Sequence, residues 1–305
     1  MDGTTEPSAP EPMPGAWAPP PPAPKPGVIP LRVLTINEIL SGAFQTLRRY
    51  PALLIGTAAL VLLLSQSVSL LVSLPIIEDY QRALADMRTG RVPEGFQGMF
   101  WKQFAGNTAS LVFGGLAQTF MTGLATVVVG RAVLGKPITF AEAWTELKPR
   151  AWRLIGVSLL YPIAVFAGFL LCVVPGIWAA VLFSLTVPAL VLEKLPVRRS
   201  FKRSQALVRN AWWPTFGILI VAYLVAWVAG FVASIPFATS IVLSGPLTPD
   251  SAVFSTSALV LASLASVAAG AFTTPFISAV TALLYLDRRI EVERLDVTLA
   301  QAAAA

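Results

Sequence analysis

The chain has 305 residues, of which 55% are hydrophobic and 12% charged, and carries a formal net charge of +6. That balance is too apolar and too poor in charge for a water-soluble domain. Histidine is absent, which excludes the commonest general base and every Ser-His or Cys-His nucleophile, and the single cysteine, Cys172, has no partner for a disulfide within the chain.

The first thirty residues hold 11 of the 25 prolines, including the run from Pro19 to Pro22, and no apolar core that could serve as a signal peptide. We read residues 1–30 as a disordered, extended cytoplasmic tail, either a solvated leader or a polyproline ligand for a partner domain. Beyond it, five stretches contain no charged side chain: Tyr50 to Ile77, Gln103 to Gly130, Leu154 to Leu192, Asn210 to Pro249 and Ser251 to Leu286. A spanning helix needs about 20 mostly apolar residues, and an ionised group at mid-bilayer costs at least about 2.5 kcal/mol. The expected fold is therefore all-α: a polytopic membrane protein with six transmembrane helices in a domain covering residues 31–290.

In chain order, Thr35-Ile36-Asn37-Glu38 fits a capping box, and Ile36, Ile39, Leu40, Ala43, Phe44 and Leu47 recur at helical spacing, which predicts an amphipathic helix ahead of the first span, about 51–76. A loop follows in which Glu78, Asp79, Asp86 and Glu94 offset Arg82, Arg88, Arg91 and Lys102, and the second span is about 104–130. Thr139-Phe140-Ala141-Glu142 repeats the box, and Phe140, Ala143, Trp144, Leu147 and Ala151 repeat the stripe. The next apolar run is too long for one straight span, and Pro175-Gly176 favours a turn, so it reads as a hairpin of spans 154–174 and 177–192.

A looser third opener runs from Pro196 through Val197, Phe201, Val208 and Trp212 into a span at 211–235. A loop with Gly245, Pro246, Pro249 and Asp250 leads to the last span, 254–286, which overshoots a bilayer and is expected to kink near Pro275 or to begin as an interfacial helix. Residues 291–305 form a cytoplasmic C-terminal tail. The three spans that follow an opener carry an early glycine: Gly56, Gly156 or Gly217. The inferred unit is a cytoplasmic amphipathic helix followed by a two-span hairpin, used three times, with each apolar face laid on the inner headgroup layer.

Six spans put 18 of the 22 basic residues on one side, so both termini are expected to be cytoplasmic in a multi-pass protein of the cell membrane. Arg48, Arg49, Arg150, Arg153, Arg199, Lys202 and Arg203 are candidate contacts to anionic lipid headgroups, the alternative being that they only set topology. Because the basic residues flank apolar segments, the pI near 9.8 points to lipid and not to nucleic acid.

Uncharged polar groups within spans are the remaining candidates for a site. Gln66 and Gln118 are the most costly to place in lipid, and with Tyr161 they are candidates for lining a cavity, unless they serve interhelical hydrogen bonds. Ala258, Ala262, Ser266 and Gly270 stand at four-residue spacing and form a candidate helix-packing face. Trp101, Trp144, Trp152, Trp212 and Trp213 fall at interfaces, where indoles anchor helices. No residue pattern calls for a catalytic group, a metal or a cofactor.

Three segments carry a family resemblance: Ile29-Pro30-Leu31-Arg32 leading into Thr35 to Phe44 and Arg48-Arg49; Val174-Pro175-Gly176-Ile177-Trp178 through Pro188 to Glu193; and Thr281 to Arg289. With these the chain resembles the bacterial, mainly actinobacterial, glycerophosphoryl diester phosphodiesterase membrane domain proteins. The resemblance implies the membrane half alone. The catalytic domains fused to that half in some members resemble metal-dependent barrels using histidine pairs, and a chain without histidine is not expected to hydrolyse phosphodiesters.

Two functions follow as expectations. The first is a non-enzymatic scaffold or lipid-associated module for a membrane or cytoplasmic protein partner. The second is a transporter or flippase-like facilitator for a lipid or small amphiphile.

Overall fold

Charge-free runs of this length leave the backbone one way to satisfy its polar groups in hydrocarbon, which is to form helices. The computed structural model describes residues 32–71, 96–244 and 256–293, and every element in them is helical. The proline-rich tail, the loop carrying Arg82, Arg88 and Arg91, the loop carrying Gly245 and Asp250, and residues 294–305 lie outside the described residues.

The elements are α1 (Ile36–Arg49), α2 (Ala52–Leu71, opening in a π-helical turn at Ala52–Gly56), α3 (Phe96–Val133), α4 (Phe140–Leu147), α5 (Ala151–Leu171), α6 (Val173–Leu182), α7 (Thr186–Leu192), α8 (Val197–Val208), α9 (Trp212–Ser244) and α10 (Thr256–Glu293). Among the described residues, six helical stretches are long and apolar enough to cross a membrane: Ala52–Leu71, Phe100–Val133, Phe140–Leu171, Val173–Leu192, Val197–Thr239 and Leu259–Glu293.

Both capping boxes form. Thr35 Oγ1 accepts from the Glu38 N–H at 3.4 Å while Glu38 Oε2 accepts from the Thr35 N–H at 2.9 Å, and Thr139 with Glu142 repeats the same two bonds at the same distances. Pro196 takes the cap position of α8 with no side-chain acceptor. The apolar stripe of α1 is not free to lie on headgroups, because Ile39, Ala43 and Leu47 are buried in the protein, and α1 packs on α10. Ile36 and Phe44 remain outside that contact, each close to half exposed.

The hairpin turn expected at Pro175-Gly176 lies elsewhere. The chain reverses at Cys172, whose extended backbone separates α5 from α6, and Pro175 and Gly176 sit in the first turn of α6. There Pro175 loses nothing, since a first-turn N–H has no helical partner. Gly176 permits close approach: a Cβ on Gly168 of α5 would stand 2.9 Å from the Gly176 Cα. The span expected at 177–192 is likewise interrupted, with turn residues Phe183, Ser184 and Leu185 between α6 and α7. Ser204 of α8 fills that break, donating to the Leu182 carbonyl at 2.7 Å and accepting from the Leu185 N–H at 3.2 Å. Two backbone groups that the break would orphan are thereby paired.

The last run is one helix that continues through Pro275 to Glu293, past the expected domain end at 290. Its 38 residues extend about 57 Å, far beyond one hydrocarbon core. Every residue from Pro275 to Arg288 is buried, as is Met121 to Val129 of α3, so these two stretches form the centre of the bundle.

Candidate functional site

The centre of the bundle is not close-packed throughout. A cavity of about 220 Å³ lies between α3, α5, the α6–α7 break, α9 and α10. On α3 its wall is Gly115, Gln118, Thr119 and Thr122, spaced to share one helix face. Ser158 and Tyr161 project from α5, Ser184 from the break, Thr186 from the start of α7, Tyr223 from α9 and Thr281 from α10. A second, larger groove of about 730 Å³ runs between α9 and α10, walled by Ala226, Trp227 and Phe231 on one side and Ala265, Ser266, Ala269 and Thr273 on the other. Gln118, Tyr223 and Ile277 line both spaces, so the two meet at those residues.

Most hydroxyls in the inner cavity are committed to backbone carbonyls. Thr122 donates to Gln118 O at 2.9 Å, Ser158 to Ile155 O at 2.8 Å, and Ser184 to Val181 O at 2.8 Å. Thr186 donates to Phe183 O at 2.7 Å, Thr281 to Ile277 O at 2.8 Å, and Tyr161 to Ala180 O at 3.2 Å. A carbonyl only accepts, so these oxygens keep their lone pairs for something else, except that Thr122 Oγ1 also shares a hydrogen bond with Ser278 Oγ at 3.1 Å. The Gln118 amide and the Tyr223 hydroxyl make no side-chain hydrogen bond among the described residues, and both are exposed to the two spaces they line.

Of the three residues expected to line a cavity, the structure brings Gln118 and Tyr161 together and leaves Gln66 apart, half-buried on α2. Of the expected packing face, Gly270 meets α2, where an added Cβ would stand 2.7 Å from Leu62 Cδ1. Ser266 instead lines the groove, Ala262 is exposed, and the side chain of Ala258 lies outside the described residues. The glycine that seats α9 on α10 is Gly230, whose Cβ would meet Thr273 at 3.2 Å and Ala269 at 3.6 Å.

The basic residues divide. Arg48 lies over the Phe44 ring and Arg49 over the Tyr50 ring, with both guanidinium groups exposed. Arg199 and Lys202 are exposed on α8, and Arg153 donates to the Lys194 carbonyl at 3.1 Å. Arg150 is buried and spent on the Glu146 carbonyl at 2.6 Å. Arg203 is half-buried and spent on two carboxylates: its Nε donates to Glu193 at 2.8 Å and its Nη2 pairs with Glu293. Neither Arg150 nor Arg203 is free for a headgroup.

Apart from Arg203, the network around Glu193 was not among the expected site residues. The buried Tyr285 donates to Glu193, Arg289 reaches both Glu193 and Glu293, and Asp287 is fully buried against Arg288. The available signal was the run Asp287-Arg288-Arg289 directly after a charge-free stretch, matched by Glu193 directly after another. Ser158 was missed for a different reason, since which face of an apolar helix looks inward depends on packing and not on local pattern.

These features define a multi-pass membrane protein, helical in every element of the described residues, with a cavity inside its bundle that several polar side chains reach. The chain belongs to the family described as "Domain of unknown function (DUF7847)", whose model matches residues 34–287. It matches no curated protein and no solved structure.

Proposed function

We propose that this is a non-enzymatic membrane protein that takes a lipid or small amphiphile into the cavity and eases its movement through the bundle. The observation that carries the reading is the convergence of Gln118, Tyr161 and Tyr223 on one space near the middle of three apolar helices. A polar side chain within a span is costly unless it meets a partner, and here several are gathered around a cavity. We place the protein in the cytoplasmic membrane with both termini inside, because the segments rich in basic residues converge at one end of the bundle, where Arg153 meets Lys194 and Arg203 meets Glu293. Arg48, Arg49, Arg199 and Lys202 are then the groups that face anionic headgroups.

A second reading, a scaffold for a membrane or cytoplasmic partner, rests on the exposed Phe140 and Trp144 of α4 beside that basic end. The motif resemblance to glycerophosphoryl diester phosphodiesterase membrane domains favours a partner enzyme in that case.

Reconstitution tests the choice. In vesicles carrying a fluorescent lipid in both leaflets, the full chain should speed exchange between leaflets, read as dithionite-accessible signal, and Ser158→Phe, which fills the cavity, should remove the effect. Gln118→Leu, at an exposed position, provides a variant less exposed to folding defects. Equal rates with and without protein would overturn the facilitator reading in favour of the scaffold.

A further inference from the structure

The chemistry of the lining says more than that an amphiphile fits. We infer that the ligand is an uncharged amphiphile whose head carries hydrogen-bond donors, a hydroxyl or an amide, with its head in the inner cavity and its chain in the groove between α9 and α10. This deepens the proposed function and rests on that reading.

Three observations lead there. First, every side chain lining either space is uncharged, so an ionised head would leave water with no counter-charge to receive it. A phosphate-bearing lipid is therefore a poor occupant of the inner cavity, although phosphates suit the exposed basic residues at the end of the bundle.

Second, the hydroxyl protons of Ser158, Tyr161, Ser184, Thr186 and Thr281 are directed at backbone carbonyls. What these oxygens present to the cavity is acceptor capacity. A lining in which accepting oxygens outnumber the free donors of Gln118, Thr119 and Tyr223 favours a head that donates over one that only accepts. Gln118 and Tyr223, free of side-chain hydrogen bonds among the described residues, can both donate and accept, as a hydroxyl head requires.

Third, the spaces differ in character and in size. The inner cavity, about 220 Å³, has room for several water-sized groups, which suits a small polar head. The groove, about 730 Å³, is walled by Trp227, Phe231 and Ala269 and suits an alkyl chain. Because Gln118 and Tyr223 stand at the junction, a molecule lying across it places its polar-to-apolar boundary beside them.

Photoaffinity labelling of the full chain in phosphatidylcholine vesicles tests this with two probes that differ only in the head: a diazirine-tailed diacylglycerol and the corresponding phosphatidic acid. The diacylglycerol probe should label the α9 and α10 peptides around Trp227 and Ala269 at least about ten times more than the phosphatidic acid, and unlabelled diacylglycerol should compete. Gln118→Leu should reduce that labelling several-fold. Equal labelling by both probes, both competed by unlabelled lipid, would overturn the uncharged-head inference while the cavity reading stands. Labelling by neither probe above the level at the outward-facing Phe166, Leu170 and Leu171 would overturn the cavity reading itself. Undiminished labelling of a folded Gln118→Leu chain would overturn the placement of the head. The comparison of the two probes on the unaltered chain does not depend on any variant folding.

Discussion

The backbone N–H of Leu34 donates to Oδ1 of Asp287 at 2.7 Å, joining the first and last residues of the region that defines the family. The bond is buried, and the other carboxylate oxygen of Asp287 receives the Arg288 guanidinium at 2.6 Å. The entry to α1 is thus fixed on the end of α10, and the 14 residues of α1 lie along it.

Asp287→Ala removes both interactions and leaves a buried guanidinium with Glu291 as its remaining partner. Breaking a buried pair from one side costs about 3 kcal/mol, and a loss near that size is expected in chemical unfolding of the purified protein. Asp287→Asn retains an acceptor for Leu34 and should be milder. Wild-type stability for the alanine variant would show that the two ends are not coupled.

Ser204→Ala should destabilise more than its neighbour Ser200→Ala. Ser204 bridges the Leu182 carbonyl and the Leu185 N–H across the α6–α7 break, and an unpaired buried backbone group costs about 1–3 kcal/mol. Ser200 donates only to Pro196 O of its own helix, at 3.1 Å. Thermal unfolding of the two variants side by side decides this, and equal midpoints would remove the bridge from the account.

Glycine substitutions separate close approach from open space. A Cβ on Gly168 would meet Gly176 Cα and Pro175 O, both at 2.9 Å, and backbone atoms cannot turn aside. Gly168→Ala should therefore lower the unfolding midpoint. Gly217→Ala, with nothing within 4 Å, should be neutral or stabilising by up to about 1 kcal/mol through helix propensity.

These contrasts also show how far the residues could be read unaided. Lack of charge identifies six spanning helices because ionised groups are expensive in lipid wherever they fall. The boxes at Thr35–Glu38 and Thr139–Glu142 are legible because capping is local. Gln118 and Tyr161 stand out by cost alone. The break at Phe183–Leu185 is hidden, since the hydroxyl that makes it tolerable belongs to another helix. Gly56 and Gly217 form part of a threefold pattern yet contact nothing at their Cβ positions, whereas Gly156 meets Val197 at 3.2 Å. The three glycines of the expected repeat thus share no packing role.

Reporter fusions test the proposed orientation. Fusions at Lys136 and Arg199 should report the side of the membrane on which the N-terminus lies, and a fusion at Asp86 the opposite side. An external signal from Arg199 would overturn the orientation.

The central claim, an amphiphile held within the bundle, is met most directly by native mass spectrometry of the full chain released from lipid nanodiscs. One lipid-sized adduct is expected on the unaltered chain, surviving the collision energy that removes surface lipid, and it should be lost in Ser158→Phe and Gln118→Leu. A bare chain at that energy, or the same adduct in all three proteins, would contradict it.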